Sequence, residues 1–471
     1  MNLPRIGNGH WHVAGVGGVG MSALAQALRW SGGRVTGSDR FLDNGVDVPV
    51  FSTLRADGVE LVAQDGSGIE PGMEALVYST AVENSNPDIA AARAANVPIR
   101  HRAEILAALV EGERLLAVAG TAGKTTTTGM LAWALERLGA DPWMVNGGGI
   151  VAWADANGGG GNVRRGAPGA PWAVEVDESD RSCLRFSPAW SVITNISQDH
   201  FSLEEVQDLF RQYASRCTEG VVCGPGAADV IRDALRPGVQ LVTPDAALAQ
   251  APDGSWHADW RGVRLSVPVP GEHNLWNALC AAEICVALGY APAAVAAALG
   301  SFCGIVRRLE EVGGGPAKTG GVRVVDDYGH NPAKVGAAWA TIRPHSPASR
   351  VIAIWRPHGF GPLRNMMDGF AATFADSMAP RDTLYLLPVF DAGGTADRSV
   401  TSDDLKQRLA PSGRDVRVVA DAASAGWLDA LAQAIADEAA PGDAVLVMGA
   451  RDPDLPRLAR AIAARCAAAA R

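Results

Sequence analysis

Twice in this chain a short apolar run ends in a glycine-rich turn and passes directly into a helix-forming stretch. The first is HWHVAGV, with Gly15-Val16-Gly17-Gly18-Val19-Gly20 leading into SALAQALRW. The second is LLAVAG, with Gly120-Thr121-Ala122-Gly123-Lys124-Thr125 leading into TTTTGMLAWALERLG. Strand, tight turn and helix form the unit from which parallel sheets are wound, because the helix returns the chain for the next strand to run the same way. Two well-separated units of this kind predict an α/β protein with more than one sheet.

The rest of the chain continues the alternation. RVTGSD and ALVYST read as strands of the first sheet, with PDIAAARAANVPI as helix and turn. WAVEVDE and SVITNIS read as strands of the second, and NALCAAEICVALG (277–289) as a buried helix. NGGGGNVRRGAPGAP (157–171) is glycine- and proline-rich, which predicts a mobile surface loop or hairpin. GIVRRLEEVGGGPAKTGGVRVVDDYG predicts two strands joined by a glycine turn and opens a third α/β region. RVIAIW, DTLYLLP, VRVVA and AVLVMGA follow as strands, and LARAIAARCAAAA as a closing helix. With 471 residues and domains of about 100–200 residues, this predicts three domains, 1–109, 110–305 and 306–471.

Composition narrows the class. Lys+Arg total 41 against 51 for Asp+Glu, a net charge of -10, which speaks against a broad nucleic-acid surface. Nothing approaches the roughly 18–20 uninterrupted apolar residues of a membrane span. The first residues lack the basic and apolar regions of an export signal, so a cytoplasmic protein is expected. The seven cysteines include no C-x-x-C pair and predict buried free thiols rather than a zinc site.

A nucleoside triphosphate needs inward-pointing backbone N–H groups, a cation at its β/γ oxygens and a hydroxyl for its magnesium. The turn at 120–125 offers all three, with Lys124 as the cation and Thr125 as the hydroxyl. Val118 stands where the strict P-loop pattern has glycine, so this is a shorter variant. The turn at 15–20, with Asp39 closing the next strand, has the spacing of a diphosphate site whose acid contacts a ribose. Alone it would equally suit a nicotinamide-dependent dehydrogenase, but a second phosphate turn would then have no role. Asp177-Glu178-Ser179-Asp180 and Asp199-His200 follow strand ends, where magnesium is held beside a P-loop. Gly271-Glu272-His273-Asn274 with Asn277, at an expected helix start, supplies amide and imidazole groups for a nucleobase.

Taken together, GVGGVGMSALAQAL with VTGSD, YSTAVENSNPDI, RAEILAAL, GTAGKTTTTGML, VEVDESDRSCL, TNISQDH, GEHNLWNAL, IVRRLE and DDYGHNP make the chain resemble the Mur ligase family. These are ATP-dependent amide-forming enzymes of peptidoglycan precursor synthesis. The resemblance is strongest to the branch that joins L-alanine, or in recycling a murein tripeptide, to UDP-N-acetylmuramate. It implies an N-terminal Rossmann-like UDP-binding domain, a central P-loop ATPase domain and a C-terminal Rossmann-like domain that closes over the site. It implies attack of the substrate carboxylate on the γ-phosphorus of ATP, then attack of an amino acid's amine on the acyl phosphate.

Residue by residue, the resemblance places Gly15, Gly17, Gly18, Gly20, Met21, Ser22 and Asp39 at the UDP portion. Gly120, Thr121, Gly123, Lys124, Thr125 and Thr126 would bind the ATP phosphates, with Thr125, Glu178 and His200 at Mg2+. His273, Asn274 and Asn277 would lie against adenine, and Arg308 and Asp327 would reach the nucleotide. Tyr328, His330 and Arg364 would face the amino acid, and Lys124, Glu178, His200 and His330 would carry the chemistry.

Three positions depart from the family pattern. Ala122 replaces a histidine, Asn331 in Asp327-Tyr328-Gly329-His330-Asn331-Pro332 replaces another, and Gly359 stands where an arginine is usual, with Arg364 five residues on. The altered wall predicts an acceptor other than L-alanine bound in the usual way, or an Arg364 that swings in. A related ligase acting on another sugar-linked or polyacidic substrate, and a non-catalytic nucleotide binder, are the remaining readings.

Overall fold

The computed structural model describes residues 6–46, 48–154, 160–198, 201–251, 254–313, 315, 318–343, 350–391, 397–419 and 426–469. They form two compact units, one built from residues up to Ala251 with Ser255–Ile305, the other from Val306 onward.

The first unit contains two parallel sheets. One comprises β1 (His10–Ala14), β2 (Arg34–Ser38), β3 (Glu60–Val62), β4 (Ala75–Tyr78) and β5 (Ile99–His101) in the order β3-β2-β1-β4-β5. The strand order reverses beside β1, so the crevice at its carboxyl end is where a doubly wound sheet binds ligands. The Gly15–Gly20 turn leaves β1 there and enters the helix Val19–Trp30, which buries Met21 through Leu28.

The second sheet comprises β6 (Leu115–Ala119), β7 (Trp143–Val145), β8 (Val163–Arg164), β9 (Trp172–Glu175), β10 (Trp190–Ile193), β11 (Gly220–Cys223) and β12 (Gln240–Val242). Their order is β12-β11-β10-β6-β9-β7-β8, parallel except for the antiparallel β7–β8 pair. β6 is buried along its whole length between β10 and β9, the setting of an uninterrupted apolar strand. An antiparallel meander, β13 (Ala246–Gln250), β14 (Trp256–Trp260) and β15 (Val263–Ser266), follows. One apolar cluster runs through both parallel sheets, from Trp11, Leu24 and Leu28 to Leu115, Val174 and Phe210. Trp143 stacks on Trp172 at 4.6 Å and meets Trp30 at 6.4 Å.

The second unit holds β16 (Glu310–Val312), β17 (Arg323–Asp327), β18 (Val351–Trp355), β19 (Thr383–Leu386), β20 (Asp415–Val418) and β21 (Ala444–Met448). Their order is β16-β17-β21-β18-β19-β20, with β16 antiparallel to β17 and the other pairs parallel. The helix Asp454–Ala469 closes the chain.

The expected strand pair around the 313–321 glycines is therefore present as β16 and β17. The 157–171 segment contributes β8 to a sheet edge, and residues 157–159 lie outside the described set. The helix expected at 277–289 starts earlier, at Glu272, because Gly271 adopts a left-handed φ of 98° and launches it. The cluster from Gly271 to Asn274 thus sits at the helix start, as expected, with Asn277 in the second turn. The cysteines are free thiols; six are buried and Cys303 is exposed, against the expectation that all would be buried. Among the described residues no helix is long and apolar enough to cross a membrane.

Candidate active site

The second glycine turn is held in shape by β10. Gly120 has a φ of 132°, and a Cβ there would lie 2.0 Å from Thr194 Oγ1. Gly123 has a φ of 84°, and a Cβ there would lie 2.6 Å from Asn277 Oδ1. Both positions require glycine for conformation and for space. Thr194 Oγ1 donates to Ala122 O at 2.6 Å; Asn195 accepts from Ala122 N (3.1 Å) and donates to Ala122 O (2.8 Å). Thr121 N donates to Asn195 O, and Ser197 N to Thr121 Oγ1. With the loop so pinned, the helix Lys124–Arg137 presents the N–H groups of its first turn, which have no acceptor within the helix, to whatever sits over the turn.

Lys124 Nζ donates to Gly120 O at 2.9 Å and to Glu178 Oε2 at 2.6 Å. Burial opposes its charge, but Glu178, Glu175 and Asp177 together hold the ammonium above its ordinary pKa. Burial pushes Glu178 up despite Lys124, with Asp177 adding to the effect. Asp177 is burdened by burial too, yet Lys124 and the N–H of Ser179 bring it below the usual carboxylate range. Arg102, 3.6 Å from Asp177, is the second cation of the group. Three acids against two cations leave this strand end with excess negative charge.

The first glycine turn is tied back to β2: Gly15 N and Val16 N donate to Ser38 O. Asp39 is buried, and its carboxylate accepts from Gly17 N at 2.8 Å and Phe41 N at 2.9 Å. Its oxygens shape the turn from behind instead of standing open toward a ribose. Ser22 is buried with its hydroxyl on Val19 O, so it belongs to the interior of the helix. Asn162, from the other sheet's edge, donates to Val19 O at 2.7 Å and clamps the turn from above.

Beside the first turn lies a cleft of about 250 Å³. Gly18, Val19, Gly20 and Met21 form one wall; Arg102, Asn146, Gly147, Glu175 and Asp177 form the other. Glu175 is oriented by Gly147 N at 2.8 Å, and Asn146 Nδ2 donates to Thr125 O at 3.1 Å, which links the cleft to the phosphate loop. The expected residues Gly18, Gly20, Met21, Lys124, Thr125 and Glu178 are thus gathered in one unit. Asn274 and Asn277 are buried and hydrogen-bonded to each other against Gly123, with His273 beside them covering Gly271. Thr126 follows in the same first turn. His200 and Asp199 lie outside the described residues. Sequence reasoning gave no role to Arg102, Asn146, Glu175, Thr194 and Asn195, although all but Asn146 lie within the motifs RAEILAAL, VEVDESDRSCL and TNISQDH.

In the second unit the loop after β17 carries Tyr328 and His330. Asp327 beneath them accepts from Leu309 N (2.9 Å) and Gly329 N (2.7 Å), so it orders the loop. Burial pushes it up to about 6 against the pull of Arg308. Arg308 lies over the Tyr328 ring at 5.3 Å. His330 Nδ1 faces Tyr328 O at 2.9 Å, and its ring meets His358 edge-on at 5.0 Å. Burial, aided by Lys334, brings His330 down to about 4; burial and Arg451 do the same to His358. Arg364 does not join this group: it is bound to Asp397 and to Ser399 Oγ.

An α/β protein with a glycine turn, a buried lysine and an acidic strand end in one unit with a second glycine turn has the parts expected of a nucleotide-dependent enzyme. The chain belongs to the Mur ligase family. It matches the Mur ligase family catalytic domain over residues 10–114 and the Mur ligase glutamate ligase domain over 307–451. It is 34% identical to the UDP-N-acetylmuramate–L-alanine ligase of Gloeobacter violaceus, covering 93% of this chain and 92% of the relative. Against that of Burkholderia multivorans it is 35% identical, covering 94% and 95%. The crystal structure of UDP-N-acetylmuramate–alanine ligase from Thermotoga maritima superposes with a TM-score of 0.77 at 25% identity, over 98% of this chain and 100% of that one. A murein peptide ligase from Psychrobacter arcticus shares the fold, with a TM-score of 0.68 at 20% identity over 98% and 99%.

Proposed function

We propose that this chain joins L-alanine to UDP-N-acetylmuramate, with ATP cleaved to ADP and phosphate through an acyl phosphate, as a cytoplasmic step of peptidoglycan precursor synthesis. The observation that carries this reading is the 120–125 loop, whose buried lysine pairs with Glu178, in one compact unit with a cleft walled by the Gly18–Met21 turn, Arg102, Glu175 and Asp177. In this reading the domains are 1–109 for the UDP substrate, 110–305 for ATP and 306–471 for the acceptor.

Lys124 then leaves Glu178 for the β/γ oxygens and offsets charge as carboxylate and phosphate are brought together. The oxygen donors Thr125 and Glu178, in a region of excess negative charge, fit Mg2+, which would neutralise the triphosphate. Mg2+ characteristically takes one or two carboxylates and leaves the remaining positions to phosphate and water. Gly17 and its neighbours bring backbone close to the diphosphate, and Arg102 at the cleft wall supplies it with a guanidinium. Because a carbonyl only accepts, His330 Nδ1 carries the proton toward Tyr328 O; Nε2 keeps its lone pair and is the site that takes a proton from the attacking amine.

The relatives above are named as L-alanine ligases along nearly their whole length, and that similarity outweighs the altered acceptor wall, so the expectation of a different acceptor gives way. Phosphate release with ATP, UDP-N-acetylmuramate and a panel of amino acids plus murein tripeptide tests the reading. Release should require all three substrates, with the highest kcat/KM for L-alanine. A preference for the tripeptide would reassign the acceptor, and tight NADH binding without ATP cleavage would overturn the reading.

Gly17 offers a separate check on the UDP side. A Cβ there would lie 2.9 Å from Asp39 Oδ2 and 3.0 Å from Phe51. Gly17→Val should displace the turn and raise the KM for UDP-N-acetylmuramate about tenfold or more, with the KM for ATP unchanged. An equal rise in both would count against a UDP site here.

A further inference from the structure

The carboxyl ends of β17, β21 and β18 lie side by side: Met448 of β21 pairs with Asp327 on one side and Trp355 on the other. The chain segments that leave them are bound together, Gly449 N to Asp327 O and Arg356 N to Met448 O. Tyr328 and His330, Arg451, and His358 therefore emerge from three adjacent strands at one sheet end.

Arg451 stands out within this group. Four arginines of the described structure have left-handed backbone: Arg181, Arg261, Arg307 and Arg451. Arg181 pairs with Glu205, Arg261 with Glu283 and Arg307 with Asp326. Arg451, with a φ of 67°, is exposed and has no hydrogen bond or ion pair among the described residues. The acid next to it offers no neutralisation, because Asp452 is buried against Arg356 at 2.7 Å. Backbone held in a sparsely populated region clusters at ligand sites, and here it carries an exposed, unpaired guanidinium.

Lys334 faces both His330 and His358, but as a compact ammonium without the fork of a guanidinium. The desolvated carboxylate of an amino acid calls for a bidentate guanidinium. In the loop after β18 the family resemblance expects an arginine where Gly359 stands, and Arg364 is held by Asp397 and Ser399. Arg308 lies over Tyr328. We propose that Arg451 binds the α-carboxylate of the incoming amino acid and so orients its amine toward His330. This rests on the ligase reading above. A phosphate oxygen of ATP presents the same oxyanion chemistry, and the test separates the two.

Arg451→Gly is the variant of choice, since glycine suits the left-handed backbone and the protein should melt no lower than the unaltered chain. Its KM for L-alanine should rise about 30-fold or more, while the KM values for ATP and UDP-N-acetylmuramate stay within about twofold. The unaltered enzyme should prefer L-alanine strongly over L-alaninamide, which lacks the carboxylate; Arg451→Gly should lose most of that preference, and Arg451→Lys should keep part of it. An unchanged alanine KM, a retained preference, or a rise confined to the KM for ATP would overturn the assignment while leaving the ligase reading intact. Failure of the unaltered protein to release phosphate with L-alanine would remove that reading, and this inference with it.

Discussion

Lys124→Ala is expected to lower ATP-dependent phosphate release by about a thousandfold or more, the scale of removing a charge-stabilising group worth several kcal/mol in the transition state. The ammonium is bound to Gly120 O and to Glu178. Without it Glu178, already pushed up by burial and Asp177, takes up a proton rather than remain a buried, unpaired charge. The variant should therefore stay folded by circular dichroism while losing turnover. Phosphate release within tenfold of the unaltered enzyme would refute the phosphate-loop assignment.

Gly120→Ala should be nearly as damaging, through a different route. The new methyl group would lie 2.0 Å from Thr194 Oγ1 and 3.0 Å from Thr194 N, in a backbone conformation that alanine avoids. Relief requires moving the loop off β10, at a cost of about 2–4 kcal/mol. ATP binding should be lost and the melting temperature should fall. Removing the hydroxyl as well, with Thr194→Ala, should restore only part, since the backbone nitrogen still blocks the site. Gly18→Ala is the contrast: its nearest neighbour is Gly15 O at 3.4 Å, ordinary contact, so little stability should be lost. Equal melting temperatures for the two alanine variants would show that the Gly120 contacts carry no weight.

Much of this was readable from the chain alone, for a physical reason. Glycine turns between apolar strands and helices mark local events, and β1, β6 and the helices that follow them lie where that pattern put them. What the pattern could not carry was direction and distance. An acid at the end of β2 was legible, but not that Asp39 turns its oxygens back to Gly17 and Phe41. Asn195 is 73 residues from Ala122, and only the crossover that sets β10 beside β6 makes them neighbours. The meander β13–β15 also escaped, because AALAQ and WHADW lack the clean alternation that marks a half-buried strand. Arg364 looked available by spacing, and its attachment to Asp397 and Ser399 is a tertiary fact.

The apolar cluster that joins the first two sheets has a consequence for rate as well as for stability. Because Trp11 and Leu28 share it with Leu115 and Val174, the separation between the two glycine turns is set by that packing. Two anions that repel each other in water would meet here at a spacing whose entropic cost is already met, the condition under which intramolecular reactions reach very high effective molarities. A truncated side chain deep in that cluster, far from any ligand, would then act like a slackened ruler: the same groups, each intact, presented to one another at the wrong distance.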